Sequence, residues 1–475
     1  MSGPRPLWLA GRPVTTADVR SLHSPYDGRE VSRVCWADDT HLAAALDAAE
    51  RVAPALAAMT ALDRATILEA ARAGLLARRD ELVDLLVAEV GKPRTAGRIE
   101  VDRAADTLTD AAWAARSAPG TVEALDAYGS GRGRVGLVKR VPRGLVTAIT
   151  PFNFPVNLVL HKLAPAIAAG CPVILKPAPD APSPALVLAE IFAAAGLPEG
   201  ALSVLPLDVA HAGALTADRR VKVLSFTGSA KVGWALKAAA VHATTLLELG
   251  GNAACYVAAD ANVDDAIPRL ATGAFTYAGQ SCISVQRILV HVRHWDTFVP
   301  RFVAHVQATV IAGDPDDAAT LVGPVIRAHD AARLLSWIDE AVAHGATLHC
   351  GGTRQGNVVA PTVLSGVPDD ARVRCEEAFG PLVLLAPVAD DDEALEQIDA
   401  SAYGLQAGIF TESVGLLMKA WDRLHVGGII HNDASAFRVD GMPYGGVRDS
   451  GIGREGPRHA LSEYTEPRLL VLRQP

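Results

Sequence analysis

The sequence predicts an α/β fold of two domains, on three observations. Short aliphatic runs at GLVTAIT (144–150), PVILK (172–176), ALSVL (201–205), VKVLSF (221–226) and TTLLEL (244–249) recur with helical segments between most of them, at about Asn157–Ala169, Pro184–Ala195 and Ala230–Val241. Strands of this kind alternating with helices indicate a parallel sheet covered on both faces. A second such series runs from Ala254 to about Gly446, with QRILVHV, PLVLLAPV, QAGIFT and GGIIHN as its strands. The third observation is size: 475 residues, half of them apolar, suffice for more than one core. The simplest division falls near Gly250-Gly251.

Around these two series the remaining elements read in chain order. After Asp39-Thr40 the chain reads as helices; Thr60 fits an N-cap for one apolar-periodic run ending at Gly91 and Pro93, and a second run passes through Arg103 to about Arg116. From about Pro119 to Gly136 the composition shifts to Gly, Ser and Arg, an excursion from the body. The tail TEPRLLVL reads as a strand with no partner nearby in sequence.

Composition excludes several functions. Acidic residues outnumber Lys and Arg by 53 to 44, a net charge of −9 with no long basic run, so a phosphate-neutralising surface for nucleic acid is not expected. The most apolar stretch, Val156 to Leu175, contains His161, Lys162 and two prolines, which excludes a membrane-spanning helix. No basic-then-apolar leader is recognisable, so a cytoplasmic location is expected. The six cysteines (35, 171, 255, 282, 350 and 375) show no CxxC spacing, which suggests neither a disulfide framework nor a metal site.

Gly131-Arg132-Gly133-Arg134-Val135-Gly136 satisfies G-x-G-x-x-G but comes after no buried strand and opens no helix, as phosphate binding there requires. FTGSAKVG (226–233) has the right context. Gly228 permits close backbone approach, and Ser229 is placed to cap the helix and donate to phosphate; the alternative is an ordinary capped turn. Lys176 fixes an ammonium at a strand's carboxyl end, suited to a polyanion or a ribose. Asn153, stiffened between prolines in TPFNFP, is either an oxyanion donor or a turn residue. Glu248 ends an apolar strand, where desolvation raises a carboxyl pKa toward general-base use; the alternative is a pair with a surface lysine. Cys282 stands in the Gly/Ser-flanked loop YAGQSCISVQR, between a helix over Asp264–Tyr277 and a strand, and is the thiol best placed to act as a nucleophile.

Taken in order, PFNFP, LKPA, FTGS, LELGGN, GQSC, EEAFGP and PYGGVRDSG resemble the aldehyde dehydrogenase superfamily over nearly the whole chain. The resemblance implies a Rossmann-type cofactor domain (1–118 and 138–250), an α/β catalytic domain (251–448) and oligomerisation elements (119–137 and 449–475), the C-terminal strand joining a partner's sheet. It implies a homodimer or homotetramer that oxidises a small aldehyde with NAD or NADP. It also implies Cys282 as nucleophile, Glu248 as general base and Asn153 as oxyanion donor. Cofactor contacts fall at Thr150, Phe152, Lys176, Gly228, Ser229, Gly233, Leu249, Glu377 and Phe379. Wording such as FRVDGMPYGG is closest to the branch handling lactaldehyde-like and phosphono-aldehyde substrates.

Two departures stand out. Pro179 occupies a position where NAD-preferring relatives carry an acid that binds the adenosine ribose, so NADP or dual use is open. Arg438 and Arg103 fall where they could reach the substrate tunnel and bind an anionic aldehyde, or else be solvated surface arginines. A CoA-acylating enzyme and an inactive structural protein on the same fold are the alternatives; the presence of Glu248, a base for water, argues against the first, and the presence of Cys282, Glu248 and Asn153 together against the second.

Overall fold

The computed structural model describes residues 3–117 and 120–473; the ends of the segments anticipated at 1–118, 119–137 and 449–475 that fall on 1, 2, 118, 119, 474 and 475 lie outside the described residues. Two large sheets form its body. The first runs, edge to edge, through Arg12–Val14, Leu7–Leu9, Leu202–Val204, Val173–Lys176, Leu145–Ile149, Val221–Thr227, Thr244–Glu248 and Gly451–Ile452. Its five central strands are mutually parallel, and Gly451–Ile452 joins antiparallel to Thr244–Glu248. The second sheet runs Thr347–Cys350, Thr362–Ser365, Leu382–Val388, Arg287–His291, Ala254–Val257, Gln406–Phe410 and Gly428–His431, antiparallel only at the first strand. All the strands anticipated in the first series therefore form, each fully or largely buried.

The N-terminal helical run breaks where one helix was expected. Thr60 caps it through a reciprocal pair with Asp63, but Arg78 leaves helical geometry and divides the run into Ala61–Ala77 and Arg79–Val90. A straight helix of that length would extend about 45 Å; the break lets both halves bury their stripes in one core with the helices Arg94–Arg116, Asn157–Ala169 and Ser183–Ala194.

Residues 134–142 form a strand flanked by Thr121–Glu123 and the C-terminal strand Thr465–Arg473. Thr465–Arg473 pairs antiparallel along its full length with Arg134–Pro142 of the same chain, so the tail finds its partner at home. Its outer edge carries no strand among the described residues, and Leu469 to Leu472 are exposed. The segment 449–475 is not one element: Gly451–Ile452 completes the first sheet, and the helix Pro457–Tyr464 packs on Asn157–Ala169. No helix opens after Gly131–Gly136; a Cβ on Gly131 would sit 1.8 Å from the Leu125 carbonyl oxygen, so this glycine serves the hairpin's own packing. Among the described residues no helix is long and apolar enough to cross a membrane.

A buried ion pair fixes the turn after Leu145–Ile149. Lys92 and Glu100, both fully buried, bond to each other, and Glu100 Oε1 accepts from the backbone N–H of Val156 (2.9 Å) and Asn157 (3.1 Å). The Lys92 ammonium lies 3.8 Å from the Phe154 ring centre and 4.3 Å from that of Tyr277. Burial pulls its pKa down to about 8, against the Glu100 charge. Breaking one partner of such a pair typically costs about 3–5 kcal/mol. Glu100→Ala is therefore expected to lower unfolding stability by that order in urea titration; a loss within a few tenths of a kcal/mol would contradict this role.

Candidate active site

A cleft of about 470 Å³ lies where the carboxyl ends of the first sheet meet loops of the second half. Phe152, Asn153, Gly228, Ser229, Glu248 and Leu249 line it from one side, with Cys282, Glu377, Phe379, Arg438 and Tyr444 from the other and Arg103 from the long helix. Thr150, Lys176 and Gly233 are not among its lining residues. Glycines make the approach of the two halves possible. A Cβ on Gly250 would meet Glu377 Oε2 at 2.4 Å, and one on Gly251 would meet the Cys282 carbonyl oxygen at 2.3 Å. LELGGN thus joins a strand end to the Cys282 loop by removing two side chains.

The loop that presents Cys282 is wound unusually. Tyr277, Ala278 and Gly279 all have positive φ (53°, 55° and 65°), so the helix anticipated to Tyr277 stops at Phe275 and turns sharply. Gln280 braces the loop from within, its Nε2 donating to the Pro324 carbonyl (3.3 Å) and its Oε1 accepting from Ile326 N–H (2.9 Å). Asn153 Nδ2 donates to the Gln280 carbonyl at 2.9 Å, which ties the PFNFP turn to this loop. An amide NH₂ has two hydrogens, so a second donor remains.

Cys282 is half-buried, and burial pushes its thiol up to about 12, aided by Glu377 and Glu248 and opposed by Tyr444 and Arg438. Glu248 is 4 % exposed and its Oε2 has no hydrogen-bond partner. Burial, then the charge of Glu455, raises its pKa well above the carboxylate range; Arg438, Lys162 and Arg454 act against them. Glu377 accepts from Gly251 N–H at 2.9 Å, and burial lifts it to about 7.

Behind these groups runs a chain of buried charges. Arg103 makes two 2.9 Å bonds to Asp440, whose Oδ1 also accepts from Asn157 Nδ2 at 2.8 Å and lies 2.8 Å from His161 Nε2. Arg438 donates to Glu455 at 3.0 Å, and Lys162 reaches the other oxygen of Glu455 at 3.2 Å. Glu455 is held down to about 2: burial disfavours its charge, but Lys162, His161 and Arg438 outweigh burial. Arg438 is 7 % exposed and Arg103 26 %, so neither is a solvated surface arginine. Arg438 Nε is buried and has no partner.

A model described as the aldehyde dehydrogenase family matches residues 14–470. The chain belongs to the aldehyde dehydrogenase family. It is 41% identical over 471 residues to a 3-sulfolactaldehyde dehydrogenase of Priestia aryabhattai, covering 98% of this chain and 97% of that protein. Among solved structures, aldehyde dehydrogenase 21 from Physcomitrella patens, in complex with the reaction product succinate, is 41% identical with a TM-score of 0.97 over 99% of each chain. An NADP-dependent glyceraldehyde-3-phosphate dehydrogenase from Bacillus halodurans, complexed with NADP, has a TM-score of 0.97 at 30% identity over 100% of both chains.

The polar groups at the strand ends of this aldehyde dehydrogenase fit a dinucleotide. Lys176 is 4 % exposed, has no ion pair or hydrogen bond among the described residues, and is pulled down to about 8 by burial. At the ends of the next two strands the hydroxyls of Thr150 and Thr227 are buried without hydrogen-bond partners among the described residues. Ser229 stands at the N-cap of the helix Ala230–Ala239 but makes no capping bond, contrary to the expectation of a capped turn, so it leaves the helix's first N–H groups open. Gly233 lies within that helix, where a Cβ would meet Leu249 Cδ2 at 2.3 Å, so a larger residue would not pack there. Phe152 and Phe379 meet edge-to-face at 6.0 Å.

Several residues of the site carry no signal in the sequence. Lys162 and His161 sit in an apolar helix, and Glu455 and Asp440 in a glycine-rich segment, with nothing to indicate that folding pairs them. Tyr444 lies within PYGGVRDSG, yet its contact with Cys282 depends on tertiary placement.

A carboxyl acts as a base only when ionised, so a step limited by deprotonation of Glu248 should rise with pH through a midpoint above the ordinary carboxylate range. Arg438→Gln, by removing a charge that favours ionised Glu248, should move the midpoint higher. A kcat–pH profile with its acid limb near pH 4 would contradict the burial argument.

Proposed function

We propose that this protein oxidises a small anionic aldehyde to its carboxylic acid with NAD or NADP, through a thioester on Cys282. The observation that carries the reading is that one cleft sets the Cys282 thiol, the unpartnered Glu248 carboxyl and the Asn153 amide against an uncapped strand-to-helix turn. Lys176 and Thr150 would hold a ribose of the cofactor, Gly228 and Ser229 its pyrophosphate, and Glu377 the second ribose, with Phe379 and Leu249 against the ring. The bound nicotinamide supplies the acceptor for a hydride.

Cys282 gives up its proton and its sulfur bonds to the aldehyde carbon, the carbonyl pair moving onto oxygen. The free Asn153 N–H and the Cys282 backbone N–H are the donors for that oxyanion; one such donor typically supplies about 3–4 kcal/mol. Loss of hydride leaves a thioester. Glu248 then takes a proton from water, whose oxygen displaces sulfur; the acid leaves and Cys282 is regenerated.

Charge favours an anionic substrate. Arg103, Lys162 and Arg438 are three cations facing two firmly ionised carboxylates, Asp440 and Glu455, and the buried Arg438 Nε is a donor in need of an acceptor. The named substrates or products of the relatives above carry a sulfonate, a carboxylate or a phosphate, which shares this chemistry. Pro179, in place of a ribose-binding acid, leaves room for a 2′-phosphate. Assembly as a homodimer or homotetramer in the cytoplasm belongs to the same reading, and the free edge of Thr465–Arg473 is available for it.

Cys282→Ala should abolish reduced-nicotinamide formation, and Asn153→Ala should lower kcat about 10²–10³-fold. Across a panel of short aldehydes, anionic members should show the highest kcat/KM, and Arg438→Ala should raise their KM with neutral aldehydes less affected. Equal use of neutral and anionic aldehydes would remove the anionic assignment. The same assays with NAD and NADP test the role of Pro179. Product analysis with and without CoA separates hydrolysis from acyl transfer; an acyl-CoA product would overturn the role given to Glu248.

A further inference from the structure

Tyr444 touches one of the two reacting side chains of the site, and the residue after it lies against the other. Its hydroxyl lies 2.8 Å from Cys282 Sγ, and its ring is 2 % exposed, packed with Ile283, Leu405 and Met442. The next residue, Gly445, lies against the base: a Cβ there would meet Glu248 Oε1 at 2.8 Å. Over the ring, the Arg438 guanidinium stands 3.7 Å from the centroid, held there by Glu455.

The chemistry of this contact is asymmetric. A phenol remains protonated across the working pH range of a cysteine nucleophile, with an ordinary pKa of about 10, and burial pushes Tyr444 further up. Toward a neutral thiol the hydroxyl is one half of a weak contact in which either atom can donate. Toward a thiolate it is a charge-assisted donor, which is the stronger kind. A cation above the ring face makes the hydroxyl a better donor to an anion. Once sulfur has bonded to carbon it is a weak acceptor, so the contact favours the thiolate over the covalent states formed after it.

We propose that Tyr444 is a catalytic residue whose hydroxyl donates to the sulfur of Cys282 and stabilises the thiolate, with Arg438 as the positioning residue that holds and polarises the ring. This deepens, and rests on, the reading of Cys282 as nucleophile. In the activation step the S–H bond breaks, the electron pair stays on sulfur, the proton passes to solvent, and Tyr444 keeps its own proton. Facing the thiol are Tyr444, Arg438, Glu248 and Glu377; the first two favour the thiolate and the two carboxylates oppose it.

The test is the pH dependence of Cys282 alkylation by iodoacetamide, with Cys282→Ala protein as the background for the other thiols. Tyr444→Phe, which keeps the ring, should raise the apparent thiol pKa by about one unit, slowing alkylation about threefold below that pKa, because the less stabilised thiolate is also the more nucleophilic. In rapid mixing with aldehyde, the burst of reduced nicotinamide should slow by a similar factor, while decay of the preformed thioester keeps its rate. Arg438→Met should slow alkylation in the Tyr444 protein and have less effect in the Tyr444→Phe background. An unchanged alkylation profile in Tyr444→Phe protein that melts like the parent overturns the assignment of Tyr444. Aldehyde oxidation by the Cys282→Ala protein would instead overturn the nucleophile reading beneath it.

Discussion

The buried chain of charges from Arg103 through Asp440, His161, Arg438 and Glu455 to Lys162 is the constraint on which the rest of the site depends. Its members come from the helices Arg94–Arg116 and Asn157–Ala169 and from the segment between residues 438 and 455. No one of these charges is tolerable in a dry interior by itself; each is acceptable because the next one compensates it. The same compensation fixes where the C-terminal segment lies. It holds Tyr444 against Cys282 and Gly445 against Glu248, and so sets the spacing of these two side chains from behind.

Glu248 is the exception in that network. Of the cations near it, Arg438 and Lys162 are engaged by Glu455 and Arg454 by backbone carbonyls, so its own Oε2 stays without a partner among the described residues and its proton is retained by burial. A carboxyl that is fully paired cannot take a proton at neutral pH, whereas one left over from a nearly balanced set can. Glu455 and Glu248 therefore have opposite titration behaviour within one cluster, and the difference comes from which of them the arginine and lysine reach.

Much of the fold was legible because the governing signals are local. Aliphatic runs such as PVILK and VKVLSF became parallel strands since a strand covered on both faces needs apolar residues at every position. Thr60 was legible as a cap from its place at the head of an apolar-periodic run, and only the structure shows its reciprocal pair with Asp63. The break at Arg78 was not, because propensity favours continuing the helix and only the size of the core limits its length. The candidate residues divide the same way: Cys282, Glu248 and Asn153 lie in motifs with turn and strand signatures, while the close fit of Gly233 against Leu249 appears only in the fold.

By itself the sequence determined the chemistry-bearing residue types, their place at strand ends and loops, and the family they belong to. These are properties of short segments, where a strand run, a glycine pair and a thiol-bearing loop each carry their own pattern. Tertiary structure alone decided that the C-terminal strand pairs with residues 134–142 of its own chain. It also decided that Arg438 is buried and Arg103 partly buried, both paired rather than solvated, and that a tyrosine hydroxyl meets Cys282. Those outcomes depend on contacts between residues up to 339 positions apart. A buried charge or hydroxyl takes its partner from whatever the packing brings within about 3 Å, and nothing in the local sequence records that choice.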